Sequence, residues 1–349
     1  MKNGNKGSFP FRRGVNASHH TGQVRKGRPF ADPATFAAED AAWIASAGFD
    51  HIRMPLDGEQ LLRDGNPEID HGRMDSLMAS LQLAREAGLG VVLDMHSLPG
   101  GHTVAEPRQL TVFTDPEERK VAVKLWSELA RACGDFAPEE LVFELFNEPV
   151  VAHAEELNHF YAELAGAVWN VAPRRCCVCT ANLWGHHREV EKLRLPEGGP
   201  ALYGMHYYEP FVFTHQASPW TELGPHGIKD VPFPGPVPDS LRKFPEGHEL
   251  RDLVGTEMTE AQIEGHFGRV ARLMRERKSE LLLSEFGVYK MAPGASALRW
   301  LEVVLSALEE EGLPWTIWDY KGGFAIRDAG SGQWTETGKT VARFLDHPE

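Results

Sequence analysis

Eight short apolar runs recur along this 349-residue chain, and amphipathic stretches separate most of them. The runs span residues 11–18, 49–56, 90–97, 141–149, 175–184, 201–208, 280–288 and 314–320. Most are hydrophobic nearly throughout, as strands are when helices cover the sheet. Helical periodicity covers 35–47, 73–87, 117–133, 154–171, 259–277 and 296–311. The first two stretches stop at Gly48 and Gly88, and glycine just past a helix end is a common stop. Strands alternating with helices imply parallel βαβ units. Eight such strands imply an α/β chain closed into a (β/α)8 TIM barrel, a single domain over residues 1–349. A doubly wound sheet is disfavoured, because no Gly-x-Gly-x-x-Gly follows the first strand.

One stretch departs from this rhythm. Residues 211–260 contain Pro232, Pro234, Pro236 and Pro238 and little helical pattern. This long loop leaves the sixth strand at the barrel face where active sites lie, so it is read as a wall of a substrate cleft. No linker rich in serine, threonine or proline marks an appended module.

The formal net charge of −14 disfavours nucleic acid and anionic membrane as partners, since both demand a basic surface. A neutral polymer is not repelled. Cys176, Cys177 and Cys179 sit on one predicted strand with Cys133 far away. Alternate strand residues face opposite sides, so these thiols do not converge on a metal and read as small core residues. No run of about 18 apolar residues is present, so no membrane helix is expected. The opening Met1–Ser8 lacks the apolar segment of a secretory leader. That leaves a cytoplasmic protein or a chain that starts after leader removal. A monomer is expected.

The predicted strands end on polar residues. The second ends His51-Ile52-Arg53, the third Asp94-Met95-His96, the fourth Asn147-Glu148, the sixth His206-Tyr207-Tyr208, the seventh Glu285, and the eighth runs through Trp318. Polar groups at the C-terminal ends of barrel strands read as catalytic. A carboxylate at the end of a buried strand is costly unless it has a partner or a task. Two of them, Glu148 and Glu285, are what a retaining glycosidase needs: an acid/base and a nucleophile.

These residues, with Arg13-Gly14-Val15-Asn16 on the first strand, resemble glycoside hydrolase family 5, the cellulase-like retaining β-glycanases. The resemblance spans roughly residues 11–346. It implies Glu148 as acid/base and Glu285 as nucleophile. It further implies Asn147 on the sugar 2-hydroxyl, Arg53 and Tyr208 against the nucleophile, His96 and His206 lining the −1 subsite, and Trp318 as the floor beneath that sugar. The implied activity is endo cleavage of a β-1,4-linked glucan, with no metal, nucleotide or redox cofactor. Rival readings are an exo-acting β-glucosidase or β-1,3-glucanase, a β-mannanase, and a metal-dependent hydrolase on the same barrel.

Other residues carry weaker expectations. Trp184 and Trp220 are read as platforms for outer sugars, and His20 as within reach of the same sugar. Asp94 is read as facing the outer layer in a structural ion pair, and Glu144 as structural. His51 is read as a satisfied core histidine, and His186 and His187 as surface residues.

Overall fold

Side-chain alternation along each strand decides what the barrel holds. The computed structural model describes residues 9–63, 66–100 and 110–345; the opening eight residues, on which the leader reading rests, lie outside this set. The barrel strands are β1 (Arg13–Asn16), β2 (His51–Asp57), β3 (Gly90–Ser97), β4 (Leu141–Glu144), β5 (Cys177–Thr180), β6 (Ala201–Tyr207), β7 (Leu281–Phe286) and β8 (Trp315–Ile317). All are parallel and close in the order β1-β8-β7-β6-β5-β4-β3-β2. The ring is sealed where Arg13 and Val15 pair with Trp315 and Ile317. All eight expected strands are present. The fourth, fifth and eighth stop earlier than their apolar runs, because the chain leaves the ladder there to build the site.

Outward residues such as Val91, Leu93 and Met95 pack into the main core beneath the helices. The inward set at the N-terminal end is a separate apolar cluster of Val92, Val142, Val178, Leu202 and Leu282, closed by Phe9 and Phe11. One turn of the pleat further along, the same inward parity brings Asp94, Glu144 and Thr180 inside. The interior is therefore apolar at the base and ionic at the top. All four cysteines are free and buried. Cys177 and Cys179 join the outer core and Cys176 the inner cluster, as alternation requires.

The helices are α1 (Ala38–Ser46), α2 (His71–Glu86), α3 (Pro116–Ala132), α4 (Ala154–Trp169), α5 (Glu260–Arg277), α6 (Gly294–Glu311) and α7 (Glu336–Ala342). Gly48 and Gly88 adopt φ of 98° and 79°, the left-handed stop their positions suggest. Helix α5 starts from a reciprocal capping box between Thr259 and Gln262. Helix α7 lies beyond the stretches with visible periodicity. The β5–β6 connection contains no regular α-helix; its one turn at Asn182–Gly185 runs through left-handed Leu183 and Trp184.

The 211–260 segment is irregular, as expected, but well packed. It holds single helical turns at Phe211–Thr214 and Glu249–Asp252, and a two-residue pairing of Gly235–Pro236 with Glu257–Met258. Gln216 clamps its middle: Oε1 accepts from the Val231 N–H at 2.8 Å and Nε2 donates to the Val231 carbonyl at 3.0 Å.

Candidate active site

Arg53 is the centre of the ionic layer. Its guanidinium is fully buried and donates in three directions. Nε reaches Glu144 at 2.7 Å, Nη1 reaches Glu285 at 2.6 Å and Asn16 at 2.9 Å, and Nη2 reaches Asn147 at 2.6 Å and lies 3.0 Å from Asp94. A buried charge is tolerated only when paired and hydrogen-bonded, and the planar fork of arginine suits several carboxylates at once. Burial opposes its charge, but Asp94, Glu144 and Glu285 outweigh that and raise its pKa well above the ordinary value.

Glu285 reaches the same interior through an irregularity. In simple alternation Ser284 and Glu285 would face opposite sides of the barrel wall. The register of β7 against β6 slips between Leu283 and Glu285, so Leu283 pairs with Met205 and Glu285 with His206. A bulge of this kind re-aims a side chain. Ser284 donates to Glu144 at 3.0 Å while Glu285 meets Arg53, so both point inward. The second Glu285 oxygen accepts from the Tyr208 hydroxyl at 2.9 Å. Burial pushes the Glu285 carboxyl up, but His206, Arg53 and His96 and the Tyr208 hydrogen bond hold it below its ordinary value.

Glu148 stands beyond the end of β4, with its side chain 20% exposed. It accepts from His206 Nδ1 at 2.9 Å, and that nitrogen lies 3.6 Å from Glu285. Facing oxygens of the two glutamates and the His206 nitrogen all fall within 4.8 Å of one another. Burial disfavours charge on His206, but Glu285, Glu144 and Glu148 raise its pKa to about 10. His96 is likewise raised: burial acts against its charge, and its Nδ1 hydrogen bond to Asp94 at 2.8 Å prevails. The amide Nδ2 of Asn147 is buried with no hydrogen-bond partner among the described residues.

Aromatic rings surround this charge. Trp318 lies parallel to His96, with ring centres 5.8 Å apart and 9° between planes. It clusters with Tyr289, Phe324 and Tyr208. Trp220 is 45% exposed and meets Tyr289 edge to face at 4.7 Å. Trp184 is 46% exposed, and its backbone N–H donates to the Pro149 carbonyl at 3.4 Å.

Comparison with known proteins settles the family. The model of the cellulase family, glycosyl hydrolase family 5, matches residues 15–323. The chain belongs to glycosyl hydrolase family 5. Endoglucanase C of Acetivibrio thermocellus is 28% identical over 292 residues, spanning 82% of this chain and 84% of its own length. Cellodextrinase A of Ruminococcus flavefaciens is 27% identical over 282 residues, or 78% of this chain and 75% of its own. A solved endoglucanase structure matches with a TM-score of 0.76 at 26% identity, over 96% of this chain and 97% of that one. The protein is thus an O-glycosyl hydrolase.

Within this family 5 barrel, Arg53, His96, Asn147, Glu148, His206, Tyr208, Glu285 and Trp318 converge as the strand ends suggest. Trp184 and Trp220 lie exposed near it on separate connections. His20 does not converge. It is buried, with one ring nitrogen 2.9 Å from Thr35 and the other 2.8 Å from Ser80 of α2, so both its polar atoms are engaged away from the site. Asp94 also needs correction. It shares the inward parity of His96 and pairs with Arg53 and His96 inside the barrel; the ion pair is present, but not on the outer layer. His187 is buried and His186 only half-exposed. His51 is a satisfied core residue, bonded to Asp50 at 2.6 Å and Thr316 at 2.8 Å. Sequence reasoning missed Asn16 and Ser284 as members of the ionic layer; their inward parity was the available signal.

Proposed function

We propose that the protein is a retaining, endo-acting hydrolase of β-linked glucan, with Glu285 as nucleophile and Glu148 as acid/base. One observation carries this reading: the facing carboxylate oxygens lie within 4.8 Å of each other. Retaining enzymes hold their two carboxyl groups about 5–5.5 Å apart, while inverting ones need roughly 6.5–9.5 Å to admit a water. The hydrogen bonds divide the roles. Glu285 receives Arg53 on one oxygen and Tyr208 on the other, which favours the ionised form a nucleophile needs. Glu148 is the more exposed of the two, where a leaving oxygen can reach it.

In the first step a Glu285 oxygen attacks the anomeric carbon as the glycosidic C–O bond breaks, and Glu148 gives its proton to the departing oxygen. A glycosyl ester on Glu285 results. In the second step Glu148 takes a proton from water, whose oxygen displaces Glu285 and releases the sugar with its original configuration. The unpartnered Asn147 amide is suited to the sugar 2-hydroxyl, Trp318 to the apolar sugar face, and Trp184 and Trp220 to outer sugars. Relatives named endoglucanase and cellodextrinase support a β-glucan oligosaccharide or polysaccharide as substrate.

A second reading has one observation in its favour. Glu148, His206 and Glu285 offer ligand atoms close enough together to hold a metal ion. Such an ion would lie beside the Arg53 cation already 2.6 Å from Glu285, which opposes it. Azide separates the roles and the readings. Glu148→Ala with an activated aryl glycoside and azide should yield a β-glycosyl azide, and Glu285→Ala should not. The opposite pattern reverses the assignment, and activity abolished by chelation supports the metal.

A further inference from the structure

The segment after β5 is built to hold the acid/base loop. Asn182 is buried, and its carboxamide pairs with both polar groups of one backbone residue. Oδ1 accepts from the Val151 N–H at 2.9 Å, and Nδ2 donates to the Val151 carbonyl at 3.0 Å. Two residues on, the Trp184 N–H donates to the Pro149 carbonyl. The 149–151 stretch that follows Glu148 is therefore held at both ends by 182–184. A third contact comes from Gly185, where a Cβ would lie 2.8 Å from the His206 backbone nitrogen and 3.0 Å from its ring. His206 is the residue that donates to Glu148.

The backbone here is unusual as well. Leu183, Trp184 and Gly185 have φ of 52°, 59° and 72°, three consecutive left-handed residues of which two are not glycine. Such conformations persist only where surrounding contacts over-determine them, and they cluster at functional sites. The turn leaves Leu183 and Trp184 exposed at the surface.

We infer that Asn182 is a positioning residue for acid catalysis, tying the Trp184 platform to the Glu148 loop so that the departing sugar and the proton donor keep one register. The inference rests on Glu148 being the general acid. Asn182 itself touches no reacting atom. Its amide pairing fixes the direction in which the chain leaves Glu148, and the left-handed turn fixes Trp184 relative to the same carbonyl.

The test is a leaving-group series on the intact enzyme, with 2,4-dinitrophenyl, 4-nitrophenyl and phenyl β-cellobiosides and three variants: Asn182→Ala, Asn182→Asp and Glu148→Ala. General acid catalysis is worth about 10²–10⁴-fold, and only a poor leaving group needs it. Asn182→Ala should lower kcat/KM, which reports the first step alone, by about 10–100-fold on the phenyl substrate and by no more than about 3-fold on the dinitrophenyl substrate. Asn182→Asp keeps the acceptor for the Val151 N–H but loses the donor, so it should fall between wild type and Asn182→Ala. It also serves as the readout if the alanine variant does not fold. Equal losses across the series in both variants would overturn the inference and leave Asn182 as a fold residue only. A flat series for Glu148→Ala would sink the acid assignment along with it. A steep Glu148→Ala series with a flat Asn182→Ala series would sink the positioning role alone.

Discussion

Arg53 shows how one side chain can set the chemistry of a whole site. A single buried cation faces Asp94, Glu144 and Glu285. Removing it leaves three buried carboxylates without their common partner, so Arg53→Met should destabilise the fold by about 3–5 kcal/mol in denaturant titration. Arg53→Lys keeps a charge but not the fork. Because Arg53 helps to hold the Glu285 pKa down, the acid limb of kcat/KM should move to higher pH in that variant. An unmoved acid limb would show that Arg53 does not govern the nucleophile. Much of this layer was legible residue by residue, since Arg53, His96, Glu148 and Glu285 stand at strand ends. The misreading of Asp94 came from its parity, which it shares with His96 and which turns it inward. The pairing of Ser284 and Glu285 on one side was hidden, because a bulge breaks the alternation from which a strand is read.

Among the elements, the 211–260 segment tests whether a connection can be a cleft wall. Its clamp at Gln216 and its buried Phe213, Leu223 and Phe233 make it a fixed structure. Trp220 contributes little to that core, being nearly half exposed against Tyr289. Trp220→Ala should therefore leave Tm almost unchanged and raise KM on long β-glucan oligosaccharides roughly five-fold, equivalent to about 1 kcal/mol. Short aryl glycosides should be unaffected. Equal losses on both, with a lower Tm, would make Trp220 a core residue. The sequence signalled this segment through its prolines but not its local turns, which are too short to have a period. The β5–β6 connection escaped for the opposite reason: its left-handed turn is held by Asn182 and by close packing at Gly185, tertiary contacts with no sequence pattern.

For the molecule as a whole, the alternation of apolar runs and amphipathic stretches was enough to read the barrel, because helices cover every strand but one. Its response to pH follows from imidazoles outside the ionic layer. His186, His187 and His266 form a column, with ring centres 4.5 and 4.1 Å apart, between the β5–β6 connection and α5. Arg188, Arg269 and Glu209 are the charged groups that act on it. Burial lowers the pKa of His187 to about 2 and of His266 to about 4, and the neighbouring cations add to this. The folded state thus prefers them neutral, while the unfolded chain takes up protons below about 6.5. Their stabilisation is complete above that pH and is lost as pH falls. Tm should decline as pH falls from about 6.5 toward 4, and His187→Phe should flatten that decline. His206 works in the other direction: its raised pKa gives stability that is complete below 6.5 and lost as pH rises toward about 10.

In the proposed double displacement Glu285 carries the sugar during turnover. Incubation with a 2-deoxy-2-fluoro β-glycoside bearing a dinitrophenyl leaving group should trap the glycosyl ester, and peptide mass mapping should locate it. A single added glycosyl group is expected on the peptide containing Ser284-Glu285-Phe286. A label on Glu148, or inactivation with no covalent adduct, would contradict it.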